Sequence, residues 1–300
     1  MISVIVCTYN RDKFIYHCLE CLSKNKTKAD WELLLVDNNS TDNTANECRR
    51  YENDFKPNNY RYIKELRQGL SHARNRGIDE AKGDWLVFLD DDSFVENNYL
   101  EDLHQYIQSM PDLNVFGGKI IPLFESGKAP NWLCKWNQSW VSAIDLGKKV
   151  KLFSNRQFPV GANMGFTKKV ATECGYFNPE LGRKGNNLIS GEEKDYFNRI
   201  KSMGYKIHYL PNLIVKHCIP PQRTTKEYIS RFGLAIGQSE KIRTQNISTA
   251  AYTTKLFIEA IKWCVTIALF LFYTIIGKQS CANSLITFRT QVTKGLTGRY

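Results

Sequence analysis

The chain has 300 residues, 42% hydrophobic, 24% charged and 12% aromatic, enough for a sizeable core and incompatible with a disordered tail or a disulfide-stapled miniprotein. Its net charge of +11 is unevenly placed: residues 1–198 hold 26 basic and 27 acidic side chains, whereas residues 199–300 hold 15 and 3. A basic last third on a neutral body argues against a nucleic-acid binder, which spreads positive charge over its binding face, and points to attachment to a membrane surface or a polyanion.

From residue 1 to about 121, short apolar runs alternate with amphipathic stretches. The runs 3–8, 32–36, 61–65, 85–89 and 115–121 predict strands, and 12–23, 41–53, 70–81 and 97–110 predict helices. Leu100, Leu103, Ile107 and Met110 give the last helix an apolar stripe. This alternation predicts an α/β fold, a mixed, mostly parallel sheet flanked by helices, with ligands meeting the carboxyl ends of the strands. From 122 to about 220 the periodicity loosens into Gly-, Pro- and Trp-containing segments, which suits loops and short elements that complete a site. After Pro220-Pro221 the chain turns helical and basic.

The nine cysteines are scattered from Cys7 to Cys281, and the opening Met1-Ile-Ser-Val-Ile-Val6 lacks the basic start and cleavage site of a secretory signal. Both observations predict a reducing cytoplasmic compartment. Cys18-Leu-Glu-Cys21 stands alone; even with His17 it falls short of a structural zinc site.

The sharpest local feature is Trp85-Leu-Val-Phe-Leu89 followed by Asp90-Asp91-Asp92. Three adjacent carboxylates repel one another unless a positive group sits among them. At a strand end Asp90 and Asp92 point to the same side, so the pair can share a divalent metal, Mn²⁺ or Mg²⁺, that bridges a diphosphate. The competing reading is a capping turn with Asp92 or Ser93 as N-cap. A second cluster, Gly191-Glu192-Glu193-Lys194-Asp195, follows the loop-like Arg183-Lys-Gly-Asn-Asn-Leu-Ile-Ser190 and precedes a helical pattern at Tyr196, Phe197 and Ile200. Its acids either complement a helix dipole or present a general base.

Trp132, Trp136 and Trp140 recur every fourth residue. On a helix they make one stripe, which either packs against the core or the C-terminal helices, or offers sugar-stacking rings. Within 256–276 the polar interruptions are Glu259, Lys262, Thr266 and Thr274, and Lys255, Lys278, Arg289, Lys294 and Arg299 lie around the segment. Apolar length with basic flanks predicts a membrane-surface or re-entrant anchor; a buried helix covering the domain is the alternative.

Eight motifs together resemble family 2 glycosyltransferases of GT-A fold, over about residues 1–220. They are Ser3-Val-Ile-Val-Cys-Thr-Tyr-Asn-Arg11, Val36-Asp37-Asn-Asn-Ser-Thr-Asp42, Gly69-Leu-Ser-His-Ala-Arg-Asn-Arg-Gly77, Phe88-Leu-Asp-Asp-Asp92, Gly161-Ala-Asn-Met-Gly165, Gly175-Tyr-Phe-Asn-Pro-Glu-Leu-Gly182, Gly191-Glu-Glu-Lys-Asp195 and Gly204-Tyr-Lys-Ile-His-Tyr-Leu-Pro211, the likeness ending near His217. The resemblance implies inverting transfer of a sugar from a nucleotide diphosphate donor, most commonly a UDP-sugar, to an acceptor hydroxyl. It implies a nucleotide pocket lined by Thr8, Tyr9, Arg11 and Asp37, with Arg74 reaching the nucleotide or its phosphates. Asp90 and Asp91 join the donor-binding set, Asp90 as the ribose contact, and Asp92, Asp90 and His217 form the metal shell. Read alone, His217 on the Ile214-Val215-Lys216 run is more often a structural histidine. The family pattern is typically Gly-Glu-Asp with the second acid as base; here Glu193 holds that place, with Glu192 beside it.

The resemblance thus divides 1–220 into a nucleotide-binding half, 1–121, and an acceptor half, 122–220, followed by a basic helical extension, 221–300. The expected partners are a nucleotide-sugar donor, a glycan or lipid-linked saccharide acceptor approached by Trp132 and Trp136, and the inner face of the cytoplasmic membrane. A sugar nucleotidyltransferase is a rival, but it needs a Gly-rich phosphate loop, and Thr8-Tyr9-Asn10-Arg11 has no glycine. A non-catalytic carbohydrate-binding protein is a second rival, whose mark is loss of the acidic clusters; both are present.

Overall fold

The computed structural model describes residues 1–185 and 191–298. They divide into two units, the first comprising Met1–Leu123, Ser142–Pro179 and Glu192–Cys218, the second Phe124–Val141, Glu180–Gly191 and the chain from Ile219. Segments 124–141 and 180–191, expected within 1–220, thus group with the C-terminal helices.

The first unit is built on a nine-stranded sheet. Its strands are β1 (Ile2–Thr8), β2 (Trp31–Asp37), β3 (Tyr60–Lys64), β4 (Trp85–Asp90), β5 (Ser93–Val95), β6 (Val115–Phe124), β7 (Lys151–Leu152), β8 (Met164–Thr167) and β9 (Ile207–Ile219). The order is β3-β2-β1-β4-β8-β6-β9-β5, with β7 on β9. β3, β2, β1 and β4 run parallel, as the alternation of apolar runs requires; β8 then joins β4 antiparallel. Parallel strands are covered on both faces, so they read as continuous apolar runs. In β1 and β4, Ile5, Leu86 and Phe88 enter one core cluster while Val4, Val6, Val87 and Leu89 enter the other.

Helices α1 (Ile15–Ser23), α2 (Thr44–Phe55), α3 (Leu70–Glu80) and α4 (Tyr99–Ser109) fall where the sequence places helices. Leu100 and Leu103 of α4 are buried, and Ile107 and Met110 pack against the same cluster. α5 (Lys168–Cys174) follows β8, and α6 (Glu192–Ser202) buries Tyr196, Phe197 and Ile200, the pattern read from the sequence. Stacking of Tyr196 on Phe177, with centroids 4.0 Å apart, fixes the start of α6.

The second unit holds α7 (Lys226–Ile247), α8 (Thr249–Ile275) and α9 (Gln279–Thr297). α7 and α9 meet backbone to backbone: a Cβ on Gly237 would overlap the Val292 carbonyl, and one on Gly295 would overlap that of Leu234. Residues 132–140 do not make the expected helix. The Asn137 side chain accepts from the Cys134 N–H at 2.7 Å and donates to the Trp132 carbonyl at 2.9 Å, a local turn that competes with helix and leaves only a 3-10 turn at Gln138–Val141. Trp140 stacks on Phe288 of α9, centroids 4.2 Å apart, so part of the aromatic set packs on the C-terminal helices.

Candidate active site

Three neighbouring strands end together. In register Thr8 lies opposite Asp37, and Cys7 opposite Asp90, which brings β2, β1 and β4 to one edge, the crevice where open α/β sheets take ligands. Asp37 is buried; it accepts from the Ser40 N–H at 2.9 Å and from the Tyr62 hydroxyl. After β1 the chain turns at Asn10, whose φ of 52° lies in the left-handed region asparagine tolerates. Its amide oxygen accepts from the Thr41 N–H at 2.8 Å, which laces this turn to the one after β2. Thr8 and Asp37 are thus set by the sheet, and half-buried Tyr9 and Arg11 by the turn.

The acidic run then separates by direction. Asp91 turns to Arg11, 3.3 Å from its Nε. Asp92 takes Arg11 Nη2 at 3.4 Å on one oxygen and His217 Nε2 at 3.1 Å on the other. His217 arrives from far along the chain because β5 pairs antiparallel with β9, placing Ser93 opposite it. The Cys218 N–H also donates to the Asp92 backbone oxygen at 2.8 Å. One ligand atom from each of Asp90, Asp92 and His217 lies within 4.8 Å of the others.

This donor set suits a divalent cation. Two carboxylates and an imidazole are hard and borderline ligands of the kind Mn²⁺ and Mg²⁺ accept. Buried His217 has an Nδ1 without a hydrogen-bond partner among the described residues. Burial raises the Asp90 carboxyl despite Arg74, with Asp92 adding repulsion, and it pushes Asp91 up to about 7 despite Arg11. Crowded carboxylates held above their ordinary range mark a place short of positive charge.

Arg74, on α3, is fully buried beneath this cluster. Its Nη1 donates to Glu192 at 2.8 Å and its Nη2 to Glu193 at 3.1 Å, with Asp90 3.6 Å from Nη2. The structure therefore places Arg74 among three carboxylates. The two glutamates open α6, where the helix dipole favours negative charge, yet their surroundings differ. Glu192 is 2% exposed, and burial followed by repulsion from Glu193 pushes it up to about 7. Glu193 is 16% exposed; burial works upward on it too, but attraction to Arg74 and a hydrogen bond with Glu192 leave it below the ordinary range. Glu193 also accepts from the Gly161 N–H at 3.3 Å. A Cβ on Gly161 would overlap the Arg74 guanidinium, so the cradle requires glycine there.

A divalent cation at such a donor set can stabilise negative charge on a ligand, and an ionised carboxylate close by can accept a proton. Of the residues expected on the acceptor side, Trp132 is buried and donates its indole N–H to the Thr224 carbonyl at 2.7 Å, while Trp136 is 59% exposed; both belong to the second unit. Residues 186–190 of the loop before Glu192, and Arg299 among the expected basic flanks, lie outside the described residues. The role of Arg74 as the bridge between the acid clusters escaped the sequence reading; a lone arginine in a helix carries no signal of its partners.

The model of glycosyl transferase family 2 matches residues 3–175. Glycosyltransferase GlyG of Streptococcus pneumoniae is 36% identical over 109 residues, 36% of this chain and 35% of the relative, so the match spans about a third of that protein's length. The glucosyl-dolichyl phosphate glucuronosyltransferase of Haloferax volcanii is 24% identical over 253 residues, 80% of this chain and 76% of the relative. Among solved structures, the mannosyltransferase PcManGT from Pyrobaculum calidifontis, in complex with GDP-Man and Mn²⁺, matches with a TM-score of 0.63 at 17% identity, covering 100% of this chain and 88% of that one. The fold is GT-A.

Proposed function

The chain belongs to glycosyl transferase family 2, and from that membership and the carboxylates around Arg74 we propose that it is an inverting glycosyltransferase acting on a nucleoside diphosphate sugar. The observation that carries the reading is that Arg74 joins Glu193, the more exposed glutamate, to Asp90 of the Asp90–Asp92–His217 cluster. Base and donor site are thereby held in one constellation.

In this reading Thr8, Tyr9, Arg11 and Asp37 line the nucleotide pocket, with Asp91 holding Arg11 in place. Asp90, Asp92 and His217 hold a Mn²⁺ or Mg²⁺ ion, which when bound stabilises negative charge on the departing diphosphate. Glu193 accepts the proton of the acceptor hydroxyl as its oxygen bonds to the anomeric carbon. The bond from that carbon to the diphosphate oxygen breaks, the nucleoside diphosphate leaves, and one displacement inverts the centre. Glu192, holding a proton near neutral pH, hydrogen-bonds Glu193 and Arg74 positions both.

The acceptor is a glycan or lipid-linked saccharide, and of the two tryptophans Trp136 offers an exposed ring for stacking. The enzyme works at the inner face of the cytoplasmic membrane, to which its basic C-terminal region attaches it. The test is release of nucleoside diphosphate by the purified chain with Mn²⁺ and a panel of UDP-sugars, then GDP-sugars. Turnover abolished by EDTA and by Asp92→Ala supports the reading, and turnover that survives both overturns the cation's part. Full activity in Glu193→Gln moves the base to Glu192.

A further inference from the structure

Helix α8 is turned inside out. Its buried residues are Glu259, Thr266 and Tyr273, seven apart and therefore on one face. Arg289 of α9 donates to Glu259 at 2.8 Å, the Trp263 indole donates to Thr293 at 2.9 Å, and Lys255 pairs with Glu240 of α7. These polar groups of α8 thus point into the three-helix unit, while Thr274 is exposed. Its other face carries Phe257, Ile261, Val265, Leu271, Phe272 and Ile275, each more than half exposed. From 257 to 276 no exposed residue bears a charge. At 1.5 Å per residue that face runs about 28 Å. Contiguous apolar surface of this extent marks an interaction site, and the best 18-residue window of α8 has a mean hydropathy of 1.8.

We propose that this face of α8 lies in the plane of an anionic lipid bilayer, its side chains among the acyl chains. This names the surface through which the membrane attachment proposed above is made, and it rests on that attachment. Charge selects the occupant. Residues 219–300 hold 11 basic and 3 acidic side chains, and two of the acids, Glu240 and Glu259, are engaged in ion pairs inside the unit. The surplus is positive, and exposed Lys278 follows the helix directly, which suits phosphate headgroups. A second copy would bring the same surplus against itself, because a two-fold interface is self-complementary. An in-plane position follows from the covered side: α9 packs there, and its own exposed residues include Gln279, Asn283 and Lys294, which stay in water.

Cys264 lies exposed on this face of α8, seven residues from both Phe257 and Leu271, and serves as the reporter. The full chain, labelled there with an environment-sensitive dye and compared with Cys264→Ser to subtract labelling elsewhere, is mixed with vesicles of phosphatidylcholine alone or with phosphatidylglycerol. The expected result is co-sedimentation with the anionic vesicles, a blue shift of the dye, and at least tenfold weaker vesicle binding in the Val265→Glu/Leu271→Glu variant, with nucleotide-sugar hydrolysis in solution unchanged. Vesicle binding that is equal in the variant, or that leaves the dye in water, overturns the role of α8 while leaving attachment intact. A chain that binds neither vesicle removes the attachment and the inference with it. A dimer whose dye is already shifted without lipid assigns the face to a second copy and overturns the proposal.

Discussion

Arg74 and Glu192 meet at 2.8 Å with both side chains 2% exposed, although α3 and α6 are far apart in sequence. Arg74 faces Glu193 and Asp90 as well, so its removal takes the shared cation from three carboxylates, of which Glu192 is buried and Glu193 is 16% exposed. Removing one partner of a buried ion pair costs about 3–5 kcal/mol. Arg74→Met is expected to lose about that much in urea unfolding. Arg74→Lys keeps the charge but lacks the fork that reaches two glutamates, and should fall between Met and wild type. A loss below about 1 kcal/mol in Arg74→Met would show that the carboxylates find other partners.

The two glutamates should separate by pH. Glu192 is pushed up to about 7, above its ordinary 4.5. Between these values the folded chain keeps a proton that the unfolded chain has lost, so this group's contribution to stability falls as pH rises from about 4.5 through about 7 and is level above. Glu193 is held below 4.5, and its contribution is lost as pH falls through its folded value. Asp91 titrates in the same upper window, so the measurement is the difference between wild type and Glu192→Gln. That difference should change sharply between pH 4.5 and 7 and flatten at higher pH; a flat difference throughout contradicts the shifted glutamate.

Glu193→Gln should lower kcat by about 10²–10⁴, the usual weight of a general base, with little change in donor affinity. Glu192→Gln should lose much less, since a neutral amide still donates a hydrogen bond to Glu193. Steady-state kinetics with donor binding measured separately checks both, and the reverse ranking reassigns the base.

Asp90, Asp92 and His217 should bind a divalent cation in the folded state alone. At a concentration 100 times its Kd such a ligand stabilises by about 2.7 kcal/mol, so Mn²⁺ should raise the melting temperature of wild type. Asp92→Ala and His217→Ala should abolish the rise. A rise that persists in both variants places the cation elsewhere.

What the sequence disclosed, and what it hid, follows from how local each signal is. β1, β2 and β4 were legible because both faces are buried and their apolar runs are continuous. Asp90 and Asp92 were legible because three acids in a row are costly without a counter-charge. His217 could be assigned only by resemblance: what delivers it is the pairing of three-residue β5 with β9, too short a strand to read. The tryptophan spacing misled only as to a helix, because it ignores Asn137, whose side chain makes a turn instead; the packing on the C-terminal helices read from it holds for Trp140. Apolar length flagged α8, but only its partners decide which face Glu259 and Thr266 take.

Gly233 and Gly237 stand four apart in α7, a spacing visible in the sequence whose meaning depends on Gly295 far downstream. A Cβ on Gly237 would overlap the Val292 carbonyl and lie 2.7 Å from the Leu296 nitrogen, all backbone of α9 and unable to rotate away. A Cβ on Gly233 would meet the Phe288 carbonyl at 2.9 Å, the Gln291 Cβ at 3.1 Å and the Phe288 ring at 3.2 Å, all looser contacts than the overlap at Gly237. Gly237→Ala should therefore destabilise the helical unit more than Gly233→Ala, by about 1–3 kcal/mol or more for overpacking. Limited proteolysis of the C-terminal helices should show that order, while the Mn²⁺ melting response is retained because Asp92 belongs to the other unit. Equal protection of the two variants would mean that α7 and α9 do not pack through their glycines.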